Sequence, residues 1–275
     1  MTTAVATETR FEFGSNWSRF LAVVNDERIA EAERSLMEML AVSSLRGRRF
    51  LDIGSGSGLF SLAARRLGAD VVSFDFDPLS VGCAEELRRR YAPDGNGWRI
   101  ERGSALDDAF MRSLGQFDVV YSWGVLHHTG AMWRALDLAC NAVGEHGRLF
   151  IAIYNDQGKK SVWWREVKRT YNALPAPLRV PYLLMFAAAL ETGATAVALA
   201  RMQPRRILDR WTRYHSVRGM SRWHDIVDWI GGYPFEVASP EAVFDFCRER
   251  QFGLERLRTC GGRMGCNEFV FSRSS

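Results

Sequence analysis

Short apolar runs alternate with helix-like stretches between residues 48 and 155, and this alternation restricts the fold more than any other feature of the chain. The runs with the length and apolar content of buried strands are RRFLDI, DVVSFDF, WRIERGSAL, FDVVYSW and GRLFIAIYN. Helical patterns such as GLFSLAARRLG, PLSVGCAEELRRRY and AMWRALDLACNAVG separate them. Strands joined through helices pair in parallel by right-handed crossovers, so the pattern predicts a parallel sheet covered by helices on both faces.

The alternation stops near residue 156 and resumes near residue 239. The later part begins with SPEAVFDFCRERQF, a predicted helix with Ser239 as its N-cap and Pro240 at its first position. The strands GLERLRTC and NEFVFSR follow, and the short GGRMGC link between them predicts a β-hairpin at the end of the sheet. We therefore assign 47–155 and 239–275 to one domain, 1–46 to an N-terminal helical extension, and 156–238 to a helical insertion.

The insertion differs from the rest of the chain in charge. Between Lys159 and Arg222 there are 13 lysines and arginines against three acids, whereas the whole chain carries a net charge of only +4. Its most apolar stretch, residues 180–200, contains Glu191 and Gly193 and predicts a helical hairpin that bends near the glycine. Two roles stay open for this basic insertion: a cap over the substrate, or an element that contacts a membrane surface.

The cysteines and the N-terminal sequence argue against a metal-binding, disulfide-bonded or secreted protein. The five cysteines are irregularly spaced and match neither a metal site nor a disulfide framework. The N-terminal sequence MTTAVATETR lacks the apolar stretch of a secretory signal. We expect a cytoplasmic protein, peripheral to a membrane if the insertion touches one, without a bound metal.

A glycine-spaced turn follows the first predicted strand, in LDIGSGSG. Gly54, Gly56 and Gly58 lie two residues apart. A turn that brings backbone N–H groups close to a ligand requires residues without a Cβ. The dinucleotide fingerprint G-x-G-x-x-G is only partly matched, because Leu59 stands where its third glycine belongs. The turn predicts a nucleotide-like ligand and leaves NAD open at this point.

Two acidic residues narrow the choice of ligand. Asp75 ends the second predicted strand, at the sheet edge where ligands of open α/β sheets bind, and a carboxylate there can accept both hydroxyls of a ribose. Asp52 stands two residues before Gly54, the first glycine of the turn. A carboxylate at that place would repel a pyrophosphate and suits a ligand with a positively charged group.

The ordered motifs resemble those of the class I S-adenosylmethionine-dependent methyltransferases, in the ubiquinone-biosynthesis-like small-molecule branch. LDIGSGSG is similar to their first motif and SFDFDP to their second, while RGSALD and FDVVYSWGVLHHT resemble the later ones. The resemblance implies a Rossmann-like, seven-stranded, mostly parallel sheet with an antiparallel last strand, and S-adenosyl-L-methionine as cofactor. The aromatic segment FEFGSNWSRF adds a candidate lid. The candidate cofactor-binding residues are Trp17, Asp52, Gly54, Ser55, Gly56, Gly58, Asp75, Phe76, Ser104, Ala105 and Trp123.

Candidate catalytic residues follow the fourth strand. Either His127 or His128 can take a proton from a substrate hydroxyl as the methyl group arrives, and a structural role in the loop is the alternative. Further candidate substrate contacts are Tyr154 after the fifth strand, and Tyr214, His215 and Arg218 in the insertion.

The predicted function is methyl transfer, with O-methylation favoured, to a small or lipid-like, partly hydrophobic acceptor. Two alternatives stay open. The basic insertion would suit a nucleic-acid methyltransferase, although the fourth strand ends in SWGVLHH rather than in the proline–aromatic turn of enzymes that methylate base amino groups, which disfavours nucleic acid. A non-catalytic, cofactor-binding partner subunit would also retain the glycine turn.

Overall fold

The computed structural model describes residues 21, 24–93, 96–203, 205 and 222–273. Some predicted site residues lie outside these ranges, namely Trp17, Tyr214, His215 and Arg218. Their roles, and that of the N-terminal lid, therefore stay predictions.

The described chain divides between two compact units. Of the described residues, the larger unit takes in 21, 24–93, 96–161 and 236–273, and the smaller one 162–203, 205 and 222–235. The helices of the described residues, numbered in chain order, are α1 Asp26–Leu40, α2 Leu59–Arg66, α3 Pro78–Tyr91, α4 Asp108–Ser113, α5 Met132–Asn141, α6 Lys159–Ala173, α7 Ala176–Ala200, α8 Arg222–Gly231 and α9 Pro240–Arg248.

The larger unit is built on a seven-stranded sheet with the order β3-β2-β1-β4-β5-β7-β6. Its strands are β1 Arg49–Ile53, β2 Asp70–Asp75, β3 Trp98–Arg102, β4 Phe117–Trp123, β5 Val143–Tyr154, β6 Phe252–Arg258 and β7 Cys266–Arg273. Strands β1 to β5 pair in parallel, whereas β7 is antiparallel to both β5 and β6. The predicted Rossmann-like fold and the C-terminal hairpin are thereby confirmed.

Alternate residues of the strands bury opposite faces of this sheet. On β1, Leu51 and Ile53 belong to an apolar layer with α4, α5 and α9, whereas Phe50 belongs to the layer with α1, α2 and α3. Burying a side chain of this size contributes about 1.5–3 kcal/mol, so the two layers fix the register of the central strands. Helices α3 and α9 begin where predicted, and the side chains of Asp77, Asp107 and Ser239 accept backbone N–H groups at the N-caps of α3, α4 and α9.

Strand β5 is longer than the sequence predicts. Val143 and Gly144, assigned to the preceding helix from sequence, belong to the strand, and Val143 pairs with Phe117. The register then shifts before Val119, and His146 has a φ of 57°. This irregularity lets the strand begin early, and a bulge of this kind breaks the two-residue alternation on which the prediction depended.

The described part of the smaller unit is helical, with its apolar core between α7 and α8. Leu183 and Ala187 of α7 pack with Ile226 and Ile230 of α8. The predicted hairpin is wrong, because residues 176–200 form one helix that continues through Gly193. One glycine inside a helix costs about 1 kcal/mol, which the helix-favouring alanines around it offset.

A lysine lies buried in the same unit. The Lys168 ammonium is 4.3 Å from the centroid of the Trp229 ring and 4.8 Å from that of the Phe235 ring, and it donates a hydrogen bond to the Trp229 carbonyl. The aromatic faces and this carbonyl stabilise the charge inside the unit.

Candidate functional site

The candidate site lies at the carboxyl ends of β1, β2, β4 and β5. The strand order reverses here, because β1 pairs with β2 on one side and with β4 on the other. In open α/β sheets ligands bind outside the strand ends at this point. The glycine turn after β1, the end of β2, the loop after β4 and the end of β5 all reach this edge.

Two glycines of the turn are required by close packing. Gly54 has a φ of +73°, and a Cβ built on it would lie 2.4 Å from the Val125 side chain in the loop after β4. Gly58, with a φ of +81°, would place a Cβ 2.9 Å from the Ala84 side chain of α3. The Gly54 and Ser55 N–H groups both donate to the Phe74 carbonyl. The turn is therefore held tightly between β2 and the β4 loop.

The Asp75 carboxylate joins β2 to the glycine turn. One of its oxygens accepts the Gly56 N–H at 3.0 Å, and the other accepts the Asp77 N–H at 2.9 Å. Burial raises the pKa of Asp75 despite these bonds. Each carboxylate oxygen can accept a second hydrogen bond, so the group remains able to take the hydroxyls of a ligand.

Asp52 lies under the site on the side of the sheet that α2 covers. It is 2% exposed, and the Ser61 hydroxyl of α2 donates to its carboxylate at 2.6 Å. Burial raises the pKa of Asp52 to about 7. Tyr121 pairs directly with Asp52 across β1 and β4, and burial together with the Asp52 charge raises the pKa of Tyr121. Within the described residues the Tyr121 hydroxyl has no hydrogen-bond partner.

Other predicted cofactor contacts differ in how accessible they are. The Ser55 hydroxyl is buried beside the glycine turn without a partner among the residues that the structure describes. Ser104 accepts the Leu106 N–H in the turn after β3, and Ala105 packs into the core. The side chains of Phe76 and Trp123 are exposed at the ends of β2 and β4.

The two histidines occupy different environments. His127 is fully buried, and its Nδ1 accepts the Tyr154 N–H at 3.3 Å. Its ring also packs on the Tyr154 ring, with centroids 3.8 Å apart. His128 is only half-buried and lies 5.4 Å from the Tyr154 ring, edge to face. His127 thus connects the β4 loop to the end of β5, while His128 is the more accessible imidazole.

Glu236 holds the same loop, and sequence reasoning missed it. Its two carboxylate oxygens accept the Met132 N–H at 3.2 and 3.0 Å, where α5 begins without a side-chain cap from Ala131. The Glu236 N–H donates to the His127 carbonyl at 2.9 Å. No local pattern could have indicated this role, because Glu236 lies 104 residues from the helix that it caps.

An asparagine network fixes the β6–β7 link at the end of β5 and was also missed. Asn267 is buried, donates to the Asn155 side-chain oxygen at 2.9 Å and accepts the Cys260 N–H at 3.1 Å. The Asn155 N–H in turn donates to the Gly265 carbonyl at 2.9 Å. The link therefore has one defined position beside Tyr154. Among the described residues no cluster of three or more histidines, cysteines or acids could hold a metal ion.

Comparison with known families gives a match over more than half of the chain. Residues 24–183 match the family described as "Methyltransferase domain". The match begins before α1 and runs through the glycine turn, the histidine loop and β5.

Two curated relatives illustrate the range of named activities. A ubiquinone biosynthesis O-methyltransferase from Sinorhizobium medicae is 32% identical over 111 residues, which are 40% of this chain and 43% of the relative. A tRNA U34 carboxymethyltransferase from Alcanivorax borkumensis is 40% identical over 88 residues, which are 32% of this chain and 26% of the relative. The chain thus spans less than half the length of these relatives.

A solved structure extends the likeness to nearly the whole chain. The magnesium protoporphyrin IX methyltransferase from Synechocystis PCC 6803, solved with bound SAH, matches with a TM-score of 0.55 at 14% identity. The match covers 94% of this chain and 95% of that one. At this identity the likeness concerns the fold.

Proposed function

This chain belongs to the methyltransferase-domain family and is a class I S-adenosylmethionine-dependent methyltransferase, and we propose that it methylates an oxygen of a small, partly hydrophobic acceptor. The observation that carries the proposal is the half-buried His128 imidazole, held beside Tyr154 at the strand ends. A methyl acceptor with a hydroxyl group needs a base at this place, and the name of the Sinorhizobium relative supports an oxygen acceptor.

The residues present at the site fit the cofactor. Asp75 would accept the ribose hydroxyls, and the glycine turn that its carboxylate holds would lie beside the rest of the molecule. A ligand atom would also satisfy the buried Ser55 hydroxyl, which the described protein leaves unpaired. When bound, S-adenosylmethionine supplies an electrophilic methyl group on a positively charged sulfur.

In this proposal the two histidines have different roles. His127 accepts the Tyr154 N–H through Nδ1, so its neutral ring carries the proton on Nε2 and holds the loop in place. His128 accepts the proton of the acceptor hydroxyl as the oxygen attacks the methyl group. An imidazole is suited to this step because its ordinary pKa lies near neutral pH.

The exposed aromatic surface at the strand ends favours a partly hydrophobic acceptor. Phe76 and Trp123 present large apolar side chains there, and Met264 is exposed on the β6–β7 link that the asparagine network holds. Met264, together with the part of Phe76 and Trp123 that the cofactor leaves uncovered, would bind an aromatic or aliphatic body while His128 contacts its hydroxyl.

The experiment that tests this function is methyl transfer from radiolabelled S-adenosylmethionine to a fractionated lysate. Label in the organic-soluble small-molecule fraction, stable as an ether or ester, would support the proposal. Label in RNA would instead favour the second candidate, which the basic insertion and the tRNA-modifying relative suggest. Tight cofactor binding without transfer to any fraction would point to a non-catalytic partner subunit.

A further inference from the structure

Helix α7 exposes apolar side chains along one face, and Glu191, two turns after Leu184, lies at the border of that face. The side chains of Leu184 and Met185 are 51% and 56% exposed, and Leu178 and Leu199 are similarly exposed near the two ends of the helix. Arg179 and Glu191 are the only charged residues of α7, and both are half-buried. A contiguous exposed apolar patch often marks an interaction site.

The opposite side of α7 packs within its own unit. Leu183 and Ala187 are buried against Ile226 and Ile230 of α8, and Arg179 donates to the carbonyls of Leu174 and Asn172 at the end of α6. The helix is long and apolar enough to cross a membrane, with a mean hydropathy of 1.7 and 19% of its most apolar window buried. Because one side is engaged by α8, the remaining face is suited to lie along a surface.

The charged and aromatic residues of this unit indicate what kind of surface the α7 face contacts. Arg201 and Arg205 follow the end of α7 directly and are exposed. Trp163 of α6 and Trp223 of α8 are also exposed in the same unit. The segment around them carries 13 basic residues and three acids. Exposed apolar side chains in a unit that also exposes tryptophan and arginine suit a lipid interface in which anionic headgroups meet the cations.

We propose that this α7 face, formed by Leu178, Leu184, Met185 and Leu199, docks on the surface of an anionic phospholipid bilayer, with the helix parallel to the membrane plane. The face offers aliphatic side chains with one half-buried acid, Glu191, at its border, and the net positive charge of the segment complements the headgroups. Docking is independent of which acceptor the enzyme methylates.

Vesicle flotation of the full chain tests the proposal. We expect binding to vesicles of phosphatidylcholine mixed with phosphatidylglycerol, weaker binding to phosphatidylcholine alone, and a decrease as salt screens the charges. Replacing both Leu184→Glu and Met185→Glu should reduce binding to anionic vesicles by about tenfold or more, because each change removes apolar burial and adds repulsion. Both side chains are about half exposed, so the fold should be retained, which circular dichroism checks.

The matched control is Leu257→Glu on the edge strand β6, a leucine that is 42% exposed in the larger unit. It should bind vesicles like the unmodified protein. Equal binding by the double variant and the unmodified protein, or no binding to anionic vesicles at any salt, would overturn the proposal. Concentration-dependent association that the double variant abolishes, without vesicle binding, would instead make the face a contact between copies. Cofactor binding, measured in parallel, reports separately on the methyl-transfer site.

Discussion

The Glu236 carboxylate binds the first N–H of α5, at Met132, through both of its oxygens. The same residue holds the His127 carbonyl through its own N–H. The loop that carries both histidines is therefore fixed from one side by the chain that re-enters the sheet after the insertion, and from the other side by Tyr154 of β5. This double attachment makes the loop sensitive to residues that never touch a substrate.

Glu236→Ala should lower turnover while cofactor affinity is retained, because the change frees the start of α5 and with it the position of His128. Loss of an N-terminal cap also costs about 0.5–2 kcal/mol of unfolding free energy. Glu236→Gln is the matched control, since its amide oxygen still accepts the Met132 N–H. Steady-state kinetics measures turnover, calorimetry measures cofactor affinity, and denaturation measures the unfolding free energy. Equal turnover in all three proteins would show that the cap does not position the loop.

If His128 is the proposed base, His128→Ala should reduce turnover by about 10²–10⁴-fold, and the loss of stability should be smaller than for a fully buried ring, because the imidazole is only half-buried. The acidic limb of the pH–rate profile should disappear with it. His127→Ala should instead destabilise the fold, because a fully buried ring stacked on Tyr154 is lost. A variant lacking His128 that keeps full turnover and the same pH profile would leave no role for it as the base.

Asp52→Asn should remove a pH dependence of stability. The folded-state pKa of Asp52 is raised to about 7 from 3.8, so the folded protein holds a proton that the unfolded chain releases. The stability contributed by Asp52 is fully present below pH 4 and is lost as pH rises through 7. Above that pH the variant should be more stable by up to about 4 kcal/mol. Urea denaturation of both proteins at pH 5 and pH 8 checks this, and a parallel pH dependence in both would contradict it.

Gly54→Ala should abolish cofactor binding and destabilise the protein, because the new Cβ would lie 2.4 Å from the Val125 side chain at a φ of +73°. The control is Gly82→Ala in α3, where a Cβ meets nothing within 4 Å. That change should raise stability by up to about 1 kcal/mol, since alanine favours a helix over glycine. Thermal melts and calorimetry with S-adenosylmethionine provide the comparison, and unaltered binding by the Gly54 variant would contradict the account of the turn.

The sequence predicted the sheet correctly because the residues within and next to each strand mark where the strand lies. The run from Asp70 to Asp75 is apolar and ends at an acid, and Asp77 followed by Pro78 marks the next helix without reference to distant residues. The prediction failed where the backbone is irregular, or where the surrounding residues override the preference of a single residue. The early start of β5 depends on a bulge near His146, and Gly193 interrupts no helix because the many alanines and leucines on both sides of it favour one.

The long-range contacts that hold the site could not be predicted either, and the reason is a different one. Asn267 lies in a strand whose sequence shows only alternation, yet its amide connects two loops that are more than a hundred positions apart. Asp52 was expected to face a positive ligand, and burial beside Ser61 gives it a raised pKa that no spacing reveals. Such properties come from long-range packing, which a single sequence does not display.

The chain leaves the sheet and returns to it at adjacent points. The Ala238 N–H donates to the Tyr154 carbonyl, the Asp156 N–H donates to the Ala238 carbonyl, and Asn155 bridges to Ala238. The two ends of the intervening segment are thus already joined, and closing a loop across a short gap costs little more entropy as the loop lengthens. The segment between Asp156 and Ala238 can therefore change in length or sequence with little effect on the closure of the sheet at this junction.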